Sequence, residues 1–365
     1  MAKGYPDPVA WAVLANTAED GSLLTAAHRI AGVHRIQLDN ALFEGRNAVY
    51  LIGAQGTGPT TLVDTGLATR SVEAALRDGL ADHGVGVADL DRILLTHYHA
   101  DHAGLAGELQ RESGATVHVH RADLPLVARE DGAWEALRDQ HLEAFDTWGM
   151  PNDAQEELLA FLDAHDDIVG DPAAVEPFED GTTFQAGSTT LTAIHLPGHT
   201  RGLCGFEGLI EGENALLSGD ALLPRYTPNV GGADVRTENP LAKYVDSLAR
   251  MVDTDYDRAY PGHRDPIDDP TARAETIRRH HRDRTSRAIE VLQEHGPADA
   301  WTVSAHLFGD LENIHILHGP GEAAAHLKHL VDHGVVERSD DAYSLIDRDV
   351  DIGNLFPTAP TRSAD

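Results

Sequence analysis

The chain reads Thr96-His97-Tyr98-His99-Ala100-Asp101-His102 directly after the apolar run Ile93-Leu94-Leu95. Such a run predicts a buried strand, and the residues that follow, 103–112, have the pattern of a helix. His97 and His99 alternate, so an extended backbone points both imidazoles to the same side. Imidazole and carboxylate together are typical ligands of zinc, iron or manganese. We therefore predict a metal site where this strand ends.

The spacing of two histidines does not carry this prediction by itself. The segment Val117-His118-Val119-His120 has the same alternation, and we predict an ordinary strand there. The difference is the Asp101-His102 pair, which lies past the turn and is expected to face a second point nearby.

Three later segments each end a predicted strand with a glycine and a polar side chain. They are Ile194-His195-Leu196-Pro197-Gly198-His199-Thr200, Leu216-Leu217-Ser218-Gly219-Asp220 and Ala259-Tyr260-Pro261-Gly262-His263. Glycine lets the backbone turn sharply, so each segment can present one donor at a strand tip. Four side chains would leave a pair of metal ions under-coordinated, so we expect the missing ligands here. We do not count His195 among them.

On these residues the chain resembles the metallo-β-lactamase superfamily, in its glyoxalase II-like branch. The resemblance implies an α/β fold, a four-layer αβ/βα sandwich with the site at one edge. It also implies two divalent metal ions, with zinc expected first and iron or manganese as alternatives. The positions that match the family's ligands are His97, His99, Asp101, His102, His199, Asp220 and His263.

The resemblance also implies how these ligands divide between the two ions. One ion would be held by His97, His99 and His199, the other by Asp101, His102 and His263, and Asp220 would bridge them. β-Lactamases of the main class carry a cysteine at one ligand position, whereas this chain has an aspartate there and its single cysteine is Cys204. Antibiotic hydrolysis is therefore not the expected activity.

Three side chains are candidates for catalytic roles. Asp101 is expected to orient the nucleophile and shuttle its proton. Asp64, in Thr61-Leu62-Val63-Asp64-Thr65-Gly66, matches the family's early aspartate and is expected to hold a ligand imidazole by its other nitrogen, or a nearby loop. Tyr226 follows Asp220 by six positions and is a candidate donor to a leaving group, the alternative being a buried loop tyrosine.

The composition is strongly acidic. Asp and Glu total 60 against 28 Lys and Arg, which gives a formal net charge of −32. Only Lys3, Lys243 and Lys328 are lysines. A surface of this kind repels itself unless salt screens the charge. We interpret the chain as a protein from a salt-rich cytoplasm, the alternative being an ordinary acidic soluble protein.

Length and cysteine content limit the remaining possibilities. At 365 residues the chain can form one large core and a small second domain. A single cysteine excludes an internal disulfide and is typical of a reducing compartment. The first ten residues lack a signal peptide's apolar core, and no apolar run approaches the length of a membrane span. We expect a soluble, cytoplasmic protein without membrane partners.

The pattern divides the chain into three parts. Residues 1–268 form the predicted hydrolase domain, and residues 121–168 within it are a helical insertion. This insertion carries Trp134, Phe145 and Trp148 and is interpreted either as a cap that gives the substrate an apolar wall or as packed helices. Residues 269–349 predict three helices (269–295, 301–308 and 321–333) and a hairpin, a winged-helix-like domain, and residues 350–365 a tail. The first of these helices is expected to break near Asp283 or Arg284.

A winged helix raises the question of nucleic acid, which we disfavour as a partner. The candidate recognition helix, 322–333, has Lys328 as its only fixed positive charge. Duplex binding normally needs several cationic contacts, and salt removes much of their benefit. The single basic cluster, 278–284, is interpreted as a solvated helix face. We expect the domain to pack on the hydrolase or to form a homodimer contact.

The ligand set indicates the chemistry. Two divalent ions that share a water lower its pKa, so hydroxide becomes available to attack a small ester, lactone or thioester. A metal-dependent endoribonuclease is the main alternative because of the domain order. A mononuclear iron enzyme resembling persulfide dioxygenases and a winged-helix regulator are the less favoured interpretations, because the ligand set is complete.

We expect folding and activity to require molar potassium or sodium chloride. The Debye length is about 10 Å at 0.1 M salt and about 3 Å at 1 M, so concentrated salt suppresses the repulsion within a surface of high net charge. The measurement is the melting temperature from about 0.1 M to about 3 M salt. A melting temperature that stays flat would contradict the halophilic interpretation.

Overall fold

The computed structural model describes residues 32–39, 45–54, 58–347 and 350–356. The first ten residues, where we expected no signal peptide, and most of the tail lie outside these ranges. None of the helices in the described ranges combines the length and apolar character needed to cross a lipid bilayer.

Two mixed β-sheets form the centre of the molecule. The first has the strands in chain order: β1 (Val33–Leu38), β2 (Asn47–Ile52), β3 (Thr61–Val63), β4 (Arg92–Leu94), β5 (Thr116–His120) and β6 (Val175–Phe178). The second contains β7 (Thr183–Ala186), β8 (Thr189–His195), β9 (Cys204–Ile210), β10 (Glu213–Gly219) and β11 (Arg258–Pro261), and here too each strand lies beside the next one in the chain. Strands β3 to β6 pair in parallel, as do β10 and β11, and the other neighbours are antiparallel.

Helices cover the outer faces of both sheets. Those before the insertion are α1 (Arg70–Asp82), α2 (Ala100–Ala103) and α3 (Ala106–Ser113). The insertion contributes α4 (Leu124–Val127), α5 (Ala133–Thr147) and α6 (Asn152–Asp163). The remainder are α7 (Pro240–Thr254), α8 (Pro270–His295), α9 (Ala300–Phe308) and α10 (His315–Asp332), followed by the hairpin of β12 (Val336–Ser339) and β13 (Ala342–Leu345).

Three hydrophobic clusters separate four layers. One lies between the sheets and contains Tyr50 and Phe206. A second joins the first sheet to its helices and contains Leu76 of α1. The third joins the second sheet to the C-terminal helices, and contains Leu216 of β10 and Ile277 of α8. This arrangement confirms the predicted αβ/βα sandwich, and the alternating faces of the strands explain how each sheet packs on both sides.

The predicted helix over residues 103–112 is divided in the structure. The backbone N–H of Leu105 donates to the carbonyl of Gly66 (3.2 Å) and lies 3.2 Å from the hydroxyl of Thr65. The backbone N–H of Leu105 is therefore not available for a hydrogen bond within a helix, and the helix is interrupted there. Helix α2 ends at Ala103, and α3 begins at Ala106. The break leaves His102 in a short helix directly beside the loop that contains Asp64.

Two predictions for the C-terminal region were wrong in detail. We expected a break near Asp283 or Arg284, but α8 is continuous over 26 residues. Its inner face stays buried through that region, so packing favours one helix. Helix α10 begins at His315 and not at Gly321, and it includes Pro320. The buried face of α8 includes Ala274, Ile277, His281, Thr285, Ala288 and Leu292.

The predicted hairpin and the order of the C-terminal helices agree with the structure, but these helices do not have a core of their own. Residues of α8, α9 and α10 belong to the same cluster as Leu216 and Tyr244 of the hydrolase part. The winged-helix-like domain therefore stays a prediction. Leu355 and Phe356 are also buried in this cluster, so the described part of the tail docks on the same core.

We expect Ile277→Ala to lower the free energy of unfolding by about 2–5 kcal/mol, because a fully buried side chain is replaced by a cavity. Since Ile277 shares a core with the second sheet, chemical denaturation should remain a single transition shifted as a whole. Ile346→Ala, at a side chain that is 57% exposed, serves as the control and should change stability by about 0.5 kcal/mol or less. Two transitions, only one of them shifted, would show an independent C-terminal domain.

Candidate metal centre

All seven predicted ligands lie at one edge of the sandwich, where the two sheets are joined. The backbone N–H of Ala48 donates to the carbonyl of Gly262 at 2.7 Å, which links β2 to the end of β11. Five of the seven follow the end of a strand, as the sequence indicated, and Asp101 and His102 lie in the short α2. Gly262 is needed for the close approach, because a Cβ there would lie 2.6 Å from both Asp220 Oδ1 and His102 Cε1.

Three imidazoles converge on one side of the site. His97 Nε2 lies 2.9 Å from His99 Nδ1, and His199 Nε2 lies 3.1 Å from the same atom. Their other nitrogens are held elsewhere: His97 by the hydroxyl of Thr96, His99 by the carbonyl of Ala233 and His199 by the carbonyl of Asn229, at 3.0, 3.3 and 2.8 Å.

These contacts determine the tautomers on this side. A carbonyl oxygen can only accept, so the outer nitrogens of His99 and His199 carry the protons. The hydroxyl of Thr96 donates to Asp64 Oδ2 at 2.9 Å and therefore accepts from His97. Three lone pairs then point at one another, an arrangement that a cation stabilises.

The second side of the site contains two imidazoles and a carboxylate. His102 Nδ1 donates to Asp64 Oδ2 at 2.8 Å, and His263 Nδ1 donates to the carbonyl of Gly45 at 2.9 Å. The Nε2 atoms of both rings face inward. Asp101 Oδ2 lies 3.4 Å from His263 Nε2 and 3.8 Å from His102 Nε2.

Asp220 lies between the two sides. Its Oδ1 is 3.4 Å from His102 Nε2, and its Oδ2 is 3.6 Å from His199 Nε2 and 3.5 Å from His263 Nε2. A single carboxylate thus touches ligands of both groups. This position suits the bridging role that the resemblance implies.

Burial and neighbouring imidazoles keep the first group neutral. Burial, followed by the adjacent His102 and His99, holds the pKa of His97 well below its usual value. Burial and His199 lower the pKa of His99 to about 3. Burial also lowers the pKa of His199. These three side chains can coordinate a cation without first losing a proton.

The second group differs, because carboxylates face its imidazoles. Burial alone would lower the pKa of His263, but Asp220 and Asp101 raise it to about 10. The same carboxylates, with Asp64, hold the pKa of His102 well above its usual value against the effect of burial. Without a cation, these two rings carry the positive charge that balances Asp101 and Asp220.

The donor set fits two metal ions. Three of the residue groups able to hold an ion are His97 with His99 and His199, His97 with His102 and Asp220, and Asp101 with His102 and His263. Within the described residues, the buried atoms His102 Nε2 and Asp220 Oδ1 have no aligned hydrogen-bond partner. Two adjacent positions of nitrogen and carboxylate ligands suit zinc, and also iron or manganese.

Asp64 makes the contact that the resemblance implies for it. Besides His102 Nδ1, its carboxylate accepts from the backbone N–H of Thr96 at 2.8 Å. Asp64 itself adopts a left-handed backbone conformation with φ of 61°, which aspartate tolerates better than most residues. One side chain therefore joins the strand end that precedes His97 to the helix that carries His102.

Sequence reasoning missed several residues that hold the ligands. Asn47 is buried, and its Nδ2 donates to both the backbone oxygen and Oδ2 of Asp101 at 3.1 Å. The signal for it is an amide at the start of an otherwise apolar strand. Thr96, although adjacent to His97, was given no role. The carbonyls of Gly45, Asn229 and Ala233 have no signal in the sequence.

Tyr226 is half-buried and lies at the rim, against the residue that follows His263. The guanidinium carbons of Arg225 and Arg264 are 5.3 and 4.9 Å from its ring centre. Its role as a proton donor stays a prediction. His195 is turned toward another partner: its Nε2 donates to the carbonyl of Arg201 at 2.9 Å.

The insertion's aromatic residues divide between two environments. Trp148 is 6% exposed, lies in a core cluster with Phe145, and accepts a backbone hydrogen bond from Trp301, which favours the packed-helix alternative for it. Trp134 is partly exposed, and its ring centre lies 6.2 Å from that of Tyr98, the neighbour of His99. Trp134 is thus the better candidate for a substrate wall.

Comparisons with known proteins agree with this geometry. The family model described as "Metallo-beta-lactamase superfamily" matches residues 42–263. The crystal structure of a metallo-beta-lactamase family protein from Thermus thermophilus is 32% identical, with a TM-score of 0.73, over 86% of this chain and 98% of that one.

Two proteins compared by sequence are also similar. "Probable metallo-hydrolase YqjP" of Bacillus subtilis is 27% identical over 76% of this chain and 86% of its own length. "Thioesterase pkgB" of Emericella nidulans is 27% identical over 61% of this chain, and the match spans about half (47%) of that protein.

Zinc binding to the metal-free protein near neutral pH is expected to release protons. His102 and His263 hold protons when no cation is present, and coordination requires neutral imidazole. Because these pKa values are raised, the release is complete at neutral pH and should fall as the pH rises through about 10, the pKa of His263. Calorimetry in buffers of different ionisation enthalpy measures it, and a buffer-independent heat at neutral pH would contradict the prediction.

Proposed function

Because the chain belongs to the metallo-beta-lactamase superfamily and is an enzyme of the metal-dependent hydrolase type, we propose that it hydrolyses small thioesters, esters or lactones with a dinuclear metal centre. The observation that carries the proposal is the position of Asp220. Its carboxylate contacts His199 of one ligand group and both His102 and His263 of the other. Two ions bound there would supply a water of lowered pKa and polarise the substrate carbonyl.

The residues of the chain would orient the attacking water. Asp101 is fixed by Asn47, which leaves its Oδ2 between the two inner nitrogens of His263 and His102. Burial opposes ionisation of Asp101, but the nearby His102 and His263 hold its pKa below the usual range. Asp101 therefore stays a carboxylate and accepts hydrogen bonds only, which suits the group that orients a nucleophile. Tyr226 is proposed as the donor to the leaving group.

The acyl substrate class rests on several supporting observations. A similar protein is named a thioesterase. The formal net charge of −32 opposes a polyanionic substrate. Trp134 lies beside Tyr98, whose ring centre is 4.7 Å from that of His99. We propose that this part of the insertion contacts the acyl group.

The endoribonuclease alternative receives less support from the C-terminal region. Glu322, His326 and His329 of the candidate recognition helix are buried, so this face of α10 is turned inward. Lys328 forms an ion pair with Asp332. In the arginine run, Arg278 is buried and lies 2.8 Å from Glu275. These charges are engaged within the protein.

Thioester, ester, lactone, phosphodiester and RNA substrates should be compared in concentrated salt, with metal analysis of the same samples. We expect acyl hydrolysis with close to two ions per chain. His97→Ala should lower the rate by about 100-fold or more and reduce metal content, because an imidazole ligand is lost. Trp134→Ala should raise KM more than it lowers kcat if the indole contributes binding area.

Arg279→Gln and Arg282→Gln are the controls that separate the two functions. Both side chains are exposed on α8, and neither is a predicted ligand. Their substitution should leave acyl hydrolysis unchanged. Efficient RNA cleavage that these changes weaken, with no acyl hydrolysis, would establish the endoribonuclease instead. A single iron per active chain, with consumption of dioxygen, would move the protein to the redox class.

A further inference from the structure

One loop holds two of the three imidazoles in the first ligand group. We call residues 229–233 the ligand-holding loop. His199 Nδ1 donates to the carbonyl of Asn229 at 2.8 Å, and His99 Nε2 donates to the carbonyl of Ala233 at 3.3 Å. The hydroxyl of Tyr98 also donates to the carbonyl of Ala233, at 3.2 Å. A shift of this loop would therefore turn both rings.

The side chain of Asn229 connects the loop to helix α10. Its Oδ1 accepts from the backbone N–H groups of Gly232 and Ala233 at 3.1 and 2.9 Å, which closes the loop on itself. Its Nδ2 donates to the carbonyl of His318 at 3.0 Å and lies 3.3 Å from Glu322 Oε2. Both of these acceptors belong to α10.

Glycines allow the loop and the helix to meet backbone to backbone. A Cβ at Gly321 would lie 2.3 Å from the Cα of Gly232 and 2.6 Å from its nitrogen. A Cβ at Gly231 would lie 2.6 Å from the carbonyl oxygen of Gly321. No side chain fits between the two segments, so the position of α10 determines the position of the loop.

A buried polar cluster fixes Glu322 on the helix. Arg284 of α8 forms an ion pair with its Oε1. His281 and His326 lie close enough for these side chains to form a group of potential metal ligands. However, Arg284 already neutralises Glu322, and His326 Nδ1 contacts the hydroxyl of Thr285 at 2.7 Å. The charge of the cluster is balanced without a metal ion. We therefore interpret the cluster as an anchor, meaning a group of side chains that holds Glu322 in place between α8 and α10.

We propose that helix α10 is a positioning element of the metal centre, which acts through Gly321, Glu322 and Asn229 on the loop that orients His99 and His199. The C-terminal region thereby sets the affinity of the His97-His99-His199 position for its metal. The inference rests on the proposed dinuclear centre, but it concerns how tightly one position binds its ion and not which substrate is hydrolysed.

A matched pair of glycine substitutions on α10 tests the proposal. Gly321→Ala places a methyl group against the ligand-holding loop. Gly319→Ala places one 2.2 Å from the side chain of Leu311 and 2.7 Å from that of Ser304, away from the loop. Alanine favours helix more than glycine does, so neither change weakens the helix itself. We expect Gly321→Ala to lower the Co²⁺ affinity of one of two positions by about 10- to 100-fold, and Gly319→Ala to leave it unchanged.

A second set of variants changes the hydrogen bond with little change of shape. Asn229→Asp keeps an oxygen for the loop N–H groups but removes the donor to Glu322 and places two carboxylates together. It should weaken the same Co²⁺ position and alter the absorption spectrum of the bound ion. The double variant Asn229→Asp/Glu322→Gln exchanges donor and acceptor and should restore much of the affinity.

The readouts are Co²⁺ titration, the spectrum of the bound ion and thermal melting of each full-length variant. Two ions bound with unchanged affinity in both Gly321→Ala and Asn229→Asp would overturn this inference alone. Equal loss in Gly319→Ala would also overturn it, since general destabilisation would then explain the effect. A third ion in the wild type that His326→Gln removes would make the cluster a metal site and not an anchor. A wild type that binds no metal would instead reject the proposed function.

Discussion

Repulsion among converging lone pairs is the constraint on which the site depends. Five imidazoles each have one nitrogen bound to an oxygen acceptor, and their remaining nitrogens face Asp220 and Asp101 within a buried edge. Neutral rings on one side and carboxylate-paired rings on the other create two unlike halves, with Asp220 between them. Such a group is stable when cations occupy it, or when some rings are protonated in their absence.

The sandwich brings these halves together because each sheet ends at the same edge. The first sheet supplies His97 and His99 after β4, and the second supplies Asp220 and His263 after β10 and β11. The backbone bond between Ala48 and Gly262 closes the junction. The core between the sheets therefore does more than stabilise the fold, since it fixes the separation of ligands that are far apart in the sequence.

The C-terminal helices are part of this arrangement. Their apolar faces join the cluster that contains Leu216 of β10, and α10 lies directly against the ligand-holding loop. The region that the sequence predicts as a C-terminal domain thus shares a hydrophobic cluster with the hydrolase part. The two tryptophans of the insertion lie in different environments. Trp148 packs in that core, whereas Trp134 lies beside Tyr98.

The sequence by itself determined the strands that precede the candidate ligands, and the order of those candidates along the chain. Alternation, apolar runs and a glycine after a strand are local features with direct physical meaning. It also indicated Asp64. Only the tertiary structure decided what holds the rings, because the acceptors at Gly45, Asn229 and Ala233 are backbone carbonyls that any residue could provide. The continuity of α8 and the early start of α10 were likewise decided by packing. Burial of an inner face outweighs a local signal for a break. The close contact between Gly321 and Gly232 is likewise visible only in the folded chain.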